Sequence, residues 1–135
     1  MANISSITLP DGSSYNLKDS VSGYVTQASL TAWNLIKSTT GTTAATNLGL
    51  TNYNEVMIVA DVLRNSAYHM MSVVVPTARL STTEREVKLS GGEGLTTSVN
   101  CGAWGKLTTA KFTPVGAYIN NTAYASSTTW YIYGR

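Results

Sequence analysis

Two short extended runs near the N-terminus are separated by a strong turn sequence. Residues 7–9 and 15–17 flank Pro10-Asp11-Gly12-Ser13. Proline presets φ at the turn, aspartate can bond to the backbone ahead of it, and glycine tolerates a positive φ. A hairpin this small cannot bury enough apolar surface to be stable alone. The sequence therefore predicts a hairpin that docks on something else and serves as an attachment element.

The residues that follow the hairpin carry apolar side chains at helical spacing. Successive separations of 4, 3, 4 and 3 residues match the seam of a short coiled coil. The members of this seam are Val21, Val25, Ala28, Ala32 and Leu35. Several of the intervening residues are poor helix formers, and the alternative to a coiled coil is an ordinary amphipathic helix packed on its own domain. We expect residues 1–37 to form a docking hairpin and a trimerising helix.

A stretch rich in serine and threonine comes next. Residues 38–46 read STTGTTAAT and contain no large side chain, which is typical of a flexible or extended connector. The pattern of extended segments begins after it. The sequence therefore predicts three parts: the docking segment 1–37, a Ser/Thr-rich linker at 38–51, and a β-sandwich head at 52–135.

The remainder of the chain has the pattern of an all-β domain. Seven short candidate strands are separated by turn signals, with no helical pattern between them. They are residues 55–63, 69–75, 84–89, 95–104, 106–113, 115–119 and 128–133. In one turn, Asn120-Asn121, asparagine favours the positive φ values of a type I′ hairpin. We predict a mainly β fold with a C-terminal antiparallel sandwich or jelly-roll head.

Three of the candidate strands differ in how they distribute apolar side chains. Residues 56–59 and 73–75 are apolar without interruption, which is typical of strands covered on both faces. The final strand alternates instead, with Trp130 and Ile132 on one face and Tyr131 and Tyr133 on the other. We expect this last strand to close the sheet.

Composition narrows the range of partners. Only 12% of the residues are charged, about half the roughly 25% of an average soluble domain, so copies or partners are expected to cover much of the surface. The basic residues are scattered, which argues against nucleic acid. The lone Cys101 cannot form an intrachain disulfide, which fits folding in a reducing cytoplasm. The N-terminus has no signal-peptide pattern, and the longest apolar run, residues 56–60, is too short to cross a bilayer.

The sequence carries no catalytic signature, and we expect a protein without enzymatic activity, cofactor or metal. His69 is the only histidine, so a multi-histidine site would need several chains. Glu55 and Asp61 are the nearest approach to a glycosidase pair, but on one regular strand they would share a face and not span a cleft. We interpret them as a solvated or ion-paired edge, with Arg64 close enough to pair with Asp61.

A ligand is expected at loop-placed groups that suit a hydroxyl-rich saccharide. Arg64, Tyr68, His69 and Trp104 combine a charge, hydrogen-bond donors and flat rings. Loops at one end of a sandwich can vary without disturbing the core, so binding groups collect there. Packing in the core or between subunits is the alternative for each of these rings.

Both ends of the chain resemble a known class of protein. The segments ITLPDGSSYNLKDS (residues 7–20) and INNTAYASSTTWYIYGR (residues 119–135) are similar to small phage and prophage tail proteins of Gram-positive gut bacteria. The resemblance implies an N-terminal docking segment before a trimeric β knob, a place in the virion tail after assembly in the bacterial cytoplasm, and other tail proteins as partners. It implies a head that binds a host-surface glycan. A purely structural baseplate or tail-tip component and a carbohydrate-binding module remain the alternatives.

Overall fold

The computed structural model describes residues 6–8, 14–16, 32–90 and 101–135. The chain divides into two units, residues 1–32 and 33–135. The strands are β1 (Ser6–Thr8), β2 (Ser14–Asn16), β3 (Asn34–Thr40), β4 (Ala45–Thr46), β5 (Glu55–Arg64), β6 (Ala67–Pro76), β7 (Arg85–Ser90), β8 (Cys101–Leu107), β9 (Lys111–Ile119), β10 (Thr122–Ala123) and β11 (Thr128–Gly134). Three short 3-10 helices join them, and no α-helix occurs in the described residues. The prediction of a mainly β, antiparallel fold is confirmed.

The first unit contains the predicted hairpin. Strands β1 and β2 pair antiparallel, with Ser6 opposite Asn16 and Thr8 opposite Ser14. The turn sequence at residues 9–13 and most of the predicted trimerising helix lie outside the described residues. The C-terminal end of that helix is wrong, because Leu35 belongs to strand β3.

The second unit is built on one nine-stranded antiparallel sheet. Its order is β10-β9-β8-β7-β6-β5-β11-β3, and β4 also pairs with β9. From β5 to β10 each strand neighbours the next along the chain, which is a meander and not the pair of Greek keys of a jelly roll. The last strand returns to lie between β3 and β5, in the interior of the sheet, and the order ends at β3 and not at this strand.

This sheet curls so that its two halves share one core. Phe112 on β9 and Trp130 on β11 are separated by five strand-to-strand steps in the sheet order, which would place them about 24 Å apart in a flat sheet. Their ring centroids are only 5.3 Å apart. Strands β3, β11, β5 and β6 are called the first half below, and β7, β8 and β9 with β4 and β10 the second half. Among the described residues, the β6–β7 pairing that joins the two halves is Ser72 opposite Ser90.

The core consists of alternate residues from both halves. Trp130 and Phe112 are its largest side chains, and both are fully buried. The indole N–H of Trp130 donates a 3.0 Å hydrogen bond to the carbonyl of Gly41. Gly41 has φ near +61°, and its backbone N–H donates a hydrogen bond to the carbonyl of Thr128. Both the N–H and the carbonyl of Gly41, in the turn after β3, therefore bond to β11.

The predicted linker at residues 38–51 is wrong. Residues up to Thr40 pair with β11, and Ala45 pairs with Phe112. Leu48 and Leu50 are at most 3% exposed and donate backbone hydrogen bonds to the turn after β8. Small hydroxyl side chains suit strands as well as linkers, and the few aliphatic residues among them enter the core. The head therefore begins at about residue 33 and not at 52.

The sheet boundaries differ from the prediction in the second half. The predicted strand 106–113 spans a turn, because the Thr108 hydroxyl accepts hydrogen bonds from the backbone N–H groups of Ala110 and Lys111. Strand β9 then continues through Pro114, beside the irregularity where Val115 is left unpaired. The predicted type I′ turn is confirmed, since Asn120 and Asn121 have φ near +50° and +62°.

We predict that Trp130→Ala destabilises the head by about 3–5 kcal/mol. The change empties the centre of the core, removes the contact with Phe112 and leaves the Gly41 carbonyl without its donor. Chemical denaturation followed by circular dichroism measures the free energy of unfolding. Tyr68→Ala is the control, because that ring is 70% exposed and its removal should change stability by under about 0.5 kcal/mol. Equal losses for the two variants would contradict this account of the core.

We predict that residues 38–51 resist proteolysis in the folded protein. Lys37 lies in β3, where its neighbours pair with β11, so trypsin should not cut after it under native conditions. Mass spectrometry of a short digestion measures this. The same digestion in denaturant is the control and should cleave the bond rapidly. Early cleavage after Lys37 under native conditions would instead support the predicted linker.

Candidate functional site

The four predicted ligand-binding residues lie in two places. Arg64 ends β5, and Tyr68 and His69 lie near the start of β6, so these three flank one hairpin. Its two turn residues, Asn65 and Ser66, both have positive φ. Trp104 lies on β8, opposite Lys88 of β7.

Strand register separates these two places. Strand β6 meets β7 where Ser72 pairs with Ser90. Along β6, Tyr68 lies four residues from the Ser72–Ser90 pairing in one direction. Along β7, Lys88 lies two residues from the same pairing in the opposite direction, and Trp104 lies opposite Lys88. Six residues of strand span about 20 Å. One small ligand therefore cannot contact Trp104 and the hairpin together.

The hairpin residues also face different sides of the sheet. His69 lies opposite Val62, whose side chain is in the core, whereas Tyr68 lies opposite Leu63 on the outer side. Arg64 shares the core side, and its Nε is buried without a hydrogen-bond partner. The expected ion pair between Arg64 and Asp61 is not among those found in the described residues.

Trp104 forms an aromatic platform with Tyr118 on the outer face of the second half. The two ring centroids are 6.1 Å apart, and the ring planes are inclined by 56°. Each ring lies against a glycine on the neighbouring strand. A Cβ on Gly116 would be 2.6 Å from the Trp104 ring, and one on Gly102 would be 2.7 Å from the Tyr118 hydroxyl. Glycine is therefore required under both rings if they are to lie this close to the sheet.

A pocket of about 320 Å³ lies beside this platform. Glu86 and Lys88 line it together with the two rings, and their side chains form a 3.3 Å ion pair that is largely exposed. Such an exposed pair contributes little to stability, so both groups are available for a ligand. Flat rings combined with a few charged hydrogen-bonding groups are the usual composition of a small-molecule site.

A second charged group lies on the same half. The Glu84 carboxylate bridges Lys106 and Lys111 at 3.4 and 3.3 Å. Hydrogen bonds from Lys111 and then Lys106 lower the pKa of Glu84 below its usual range. Both lysines are thereby paired, and this cluster holds the turn after β8 to the start of β7.

One of the two carboxylates expected at an ion-paired edge does form an ion pair. Glu55 accepts a 2.7 Å hydrogen bond from Arg135 Nε, which confirms the interpretation of that residue as an ion-paired edge. No group of three or more His, Cys, Asp or Glu side chains in the part of the chain that is described could hold a metal ion. Within the same residues, no helix is long and apolar enough to cross a membrane.

Sequence reasoning identified Trp104 but missed Tyr118. In the sequence, Tyr118 is marked only by its position two residues before the Asn120-Asn121 turn. The usable signal was the placement of Gly102 and Gly116 inside strands, because glycine in a strand often marks close approach by another group. A glycine within a strand indicates where another group lies close to the backbone, but it does not indicate which side chain that is.

No family model, curated protein or solved structure matches this chain.

We predict that Gly116→Ala displaces the Trp104 ring from the sheet. The added Cβ would lie 2.6 Å from the ring, too close for both to keep their positions. The indole N–H resonance of Trp104 in a nitrogen–proton NMR spectrum should shift, while that of Trp130 stays in place. Val115→Ala is the matched control on the same strand, where the side chain is 42% exposed. An unchanged Trp104 resonance in Gly116→Ala would show that the ring does not rest on the glycine.

Proposed function

We propose that the chain is a non-enzymatic tail protein of a phage or phage-like particle whose β head binds a saccharide on the host cell surface. The observation that carries the proposal is the platform of Trp104 and Tyr118 beside a pocket lined by Glu86 and Lys88. The resemblance of the two chain ends to small tail proteins supplies the biological setting.

The chemistry of the platform favours a saccharide. One face of a sugar ring presents C–H groups, which stack on aromatic rings, while its edge presents hydroxyls. Lys88 offers donors and Glu86 offers acceptors, so together they can bond to neighbouring hydroxyls of one ring. The pocket volume is at the lower end of the usual range, which suits a short saccharide unit rather than a large ligand.

The wider arrangement of the proposal follows the resemblance. The N-terminal segment would attach the protein to other tail or baseplate proteins, and the head would form a homotrimer with a sandwich-like body. The curled sheet with its shared core supports the sandwich-like body. The hairpin residues would form a separate ligand contact, away from the platform; they are Arg64, Tyr68 and His69.

A structural tail component without a receptor site is the second candidate. The observation that favours it is the exposed apolar outer face of the first half, where Tyr68 and Met70 are each 70% exposed. A neighbouring tail protein could cover such a face. A free carbohydrate-binding module is the third candidate and would use the same platform without any tail partner.

We predict that Trp104→Ala abolishes saccharide binding while leaving the head folded. Trp104 is half-buried on the outer face, so its loss should cost less stability than loss of Trp130. Binding to glycan arrays and to intact host cells measures the first effect, and thermal melting measures the second. A matched variant, Tyr68→Ala, tests the hairpin: retained binding restricts the site to the platform. Undiminished binding by a folded Trp104→Ala variant would overturn the proposed site.

A further inference from the structure

The outer face of the first half carries an apolar row that crosses all four strands. In the register of the sheet, Leu35 of β3 lies opposite Tyr133, Tyr133 opposite Met57, and Met57 opposite Val74. All four side chains lie on the side away from the core, because the alternate positions Val56, Ile58 and Ile132 are the buried ones. This row is therefore on a solvent-facing surface of the isolated chain.

Neighbouring rows extend the apolar surface. Tyr68 and Met70 are each 70% exposed, Leu35 is 54%, Val74 46% and Leu63 39% exposed. They account for most of the exposed large hydrophobic side chains in the described residues, and the remaining one, Val115, belongs to the second half. The exposed apolar side chains are thus concentrated on one face of one half.

The size of this face is compatible with a protein contact. Strands about 4.8 Å apart and rows about 6.8 Å apart give roughly 500 Å² for four strands and four rows. That area includes Asp61 and the hydroxyl groups of the face as well as its apolar side chains, and it is comparable in size with the largest apolar patch of a typical monomer. Two such faces together supply about 1,000 Å², which is the lower limit for a specific interface.

We propose that this face binds a second copy of the chain. The inference names the contact surface of the oligomer in the proposed function and rests on that proposal. Asp61 is the only charged side chain in the four rows, so two copies can approach with little repulsion between like charges. The polar groups are mostly hydroxyls, including those of Tyr131 and Ser72, and a hydroxyl both donates and accepts, so the surface can satisfy itself.

The sequences of two strands also support contact with a second copy of the chain. The uninterrupted apolar runs of β5 and β6 are typical of strands covered on both faces, yet Val74 is exposed in the single chain. Association through this face would cover the second side. It would also leave the platform of Trp104 and Tyr118 free, because that platform lies on the outer face of the other half.

The test compares two valines of similar exposure on the two halves. Val74 is 46% and Val115 42% exposed, and each is replaced by lysine in the full chain. Analytical ultracentrifugation over a range of concentrations measures the dissociation constant of the oligomer. We expect Val74→Lys to raise that constant at least about tenfold, because an unpaired ammonium would be buried in the contact. Val115→Lys should leave it unchanged, and thermal melting checks that both variants are folded.

Two results would overturn the inference: a wild-type chain that stays monomeric, or equal dissociation constants for the two lysine variants. A second pair, Met70→Glu on the face and Thr122→Glu on β10, repeats the comparison with the opposite charge if either lysine variant fails to fold. Saccharide binding measured on the same proteins separates this inference from the proposed site. A dissociated Val74→Lys that still binds saccharide supports both, whereas an intact oligomer without saccharide binding defeats only the site.

Discussion

The contact between Phe112 and Trp130 is the constraint on which the rest of the structure depends. These residues come from strands that are far apart in the sheet order, and their 5.3 Å separation requires the sheet to curl around them. Burial of both rings favours that curl, since they are the largest side chains of the core and remove the most apolar surface per residue from water. The bond from the Trp130 indole to Gly41 then holds the edge strand β3 and its following turn in place.

In this curled sheet the inner face packs into one core, and the outer face differs between the two halves. On the second half the outer face carries lysine and glutamate ion pairs around the Trp104 platform. On the first half it carries a nearly uncharged apolar surface that includes Met70. This division places the proposed ligand surface and the proposed association surface on different strands, both pointing away from the core.

Part of this arrangement could be predicted from local sequence, and part could not. The β-rich class, the Asn120-Asn121 turn and the alternation in the last strand follow from short-range backbone preferences and periodicity, and all were confirmed. The linker at 38–51 was wrong because serine and threonine are compatible with both strands and connectors. Only the pairing with β11 and the burial of Leu50 distinguish the two.

By itself the sequence determined the β-rich class, the Asn120-Asn121 turn, the scarcity of charge and the presence of Trp104 as a candidate ring. Each of these depends on a residue and its near neighbours along the chain. The tertiary structure alone decided that Tyr118 lies beside Trp104, that the hairpin of Tyr68 lies about 20 Å away, and that Val74 is exposed. Those facts depend on strand register and on the curl of the sheet, which are set by contacts between residues distant in sequence.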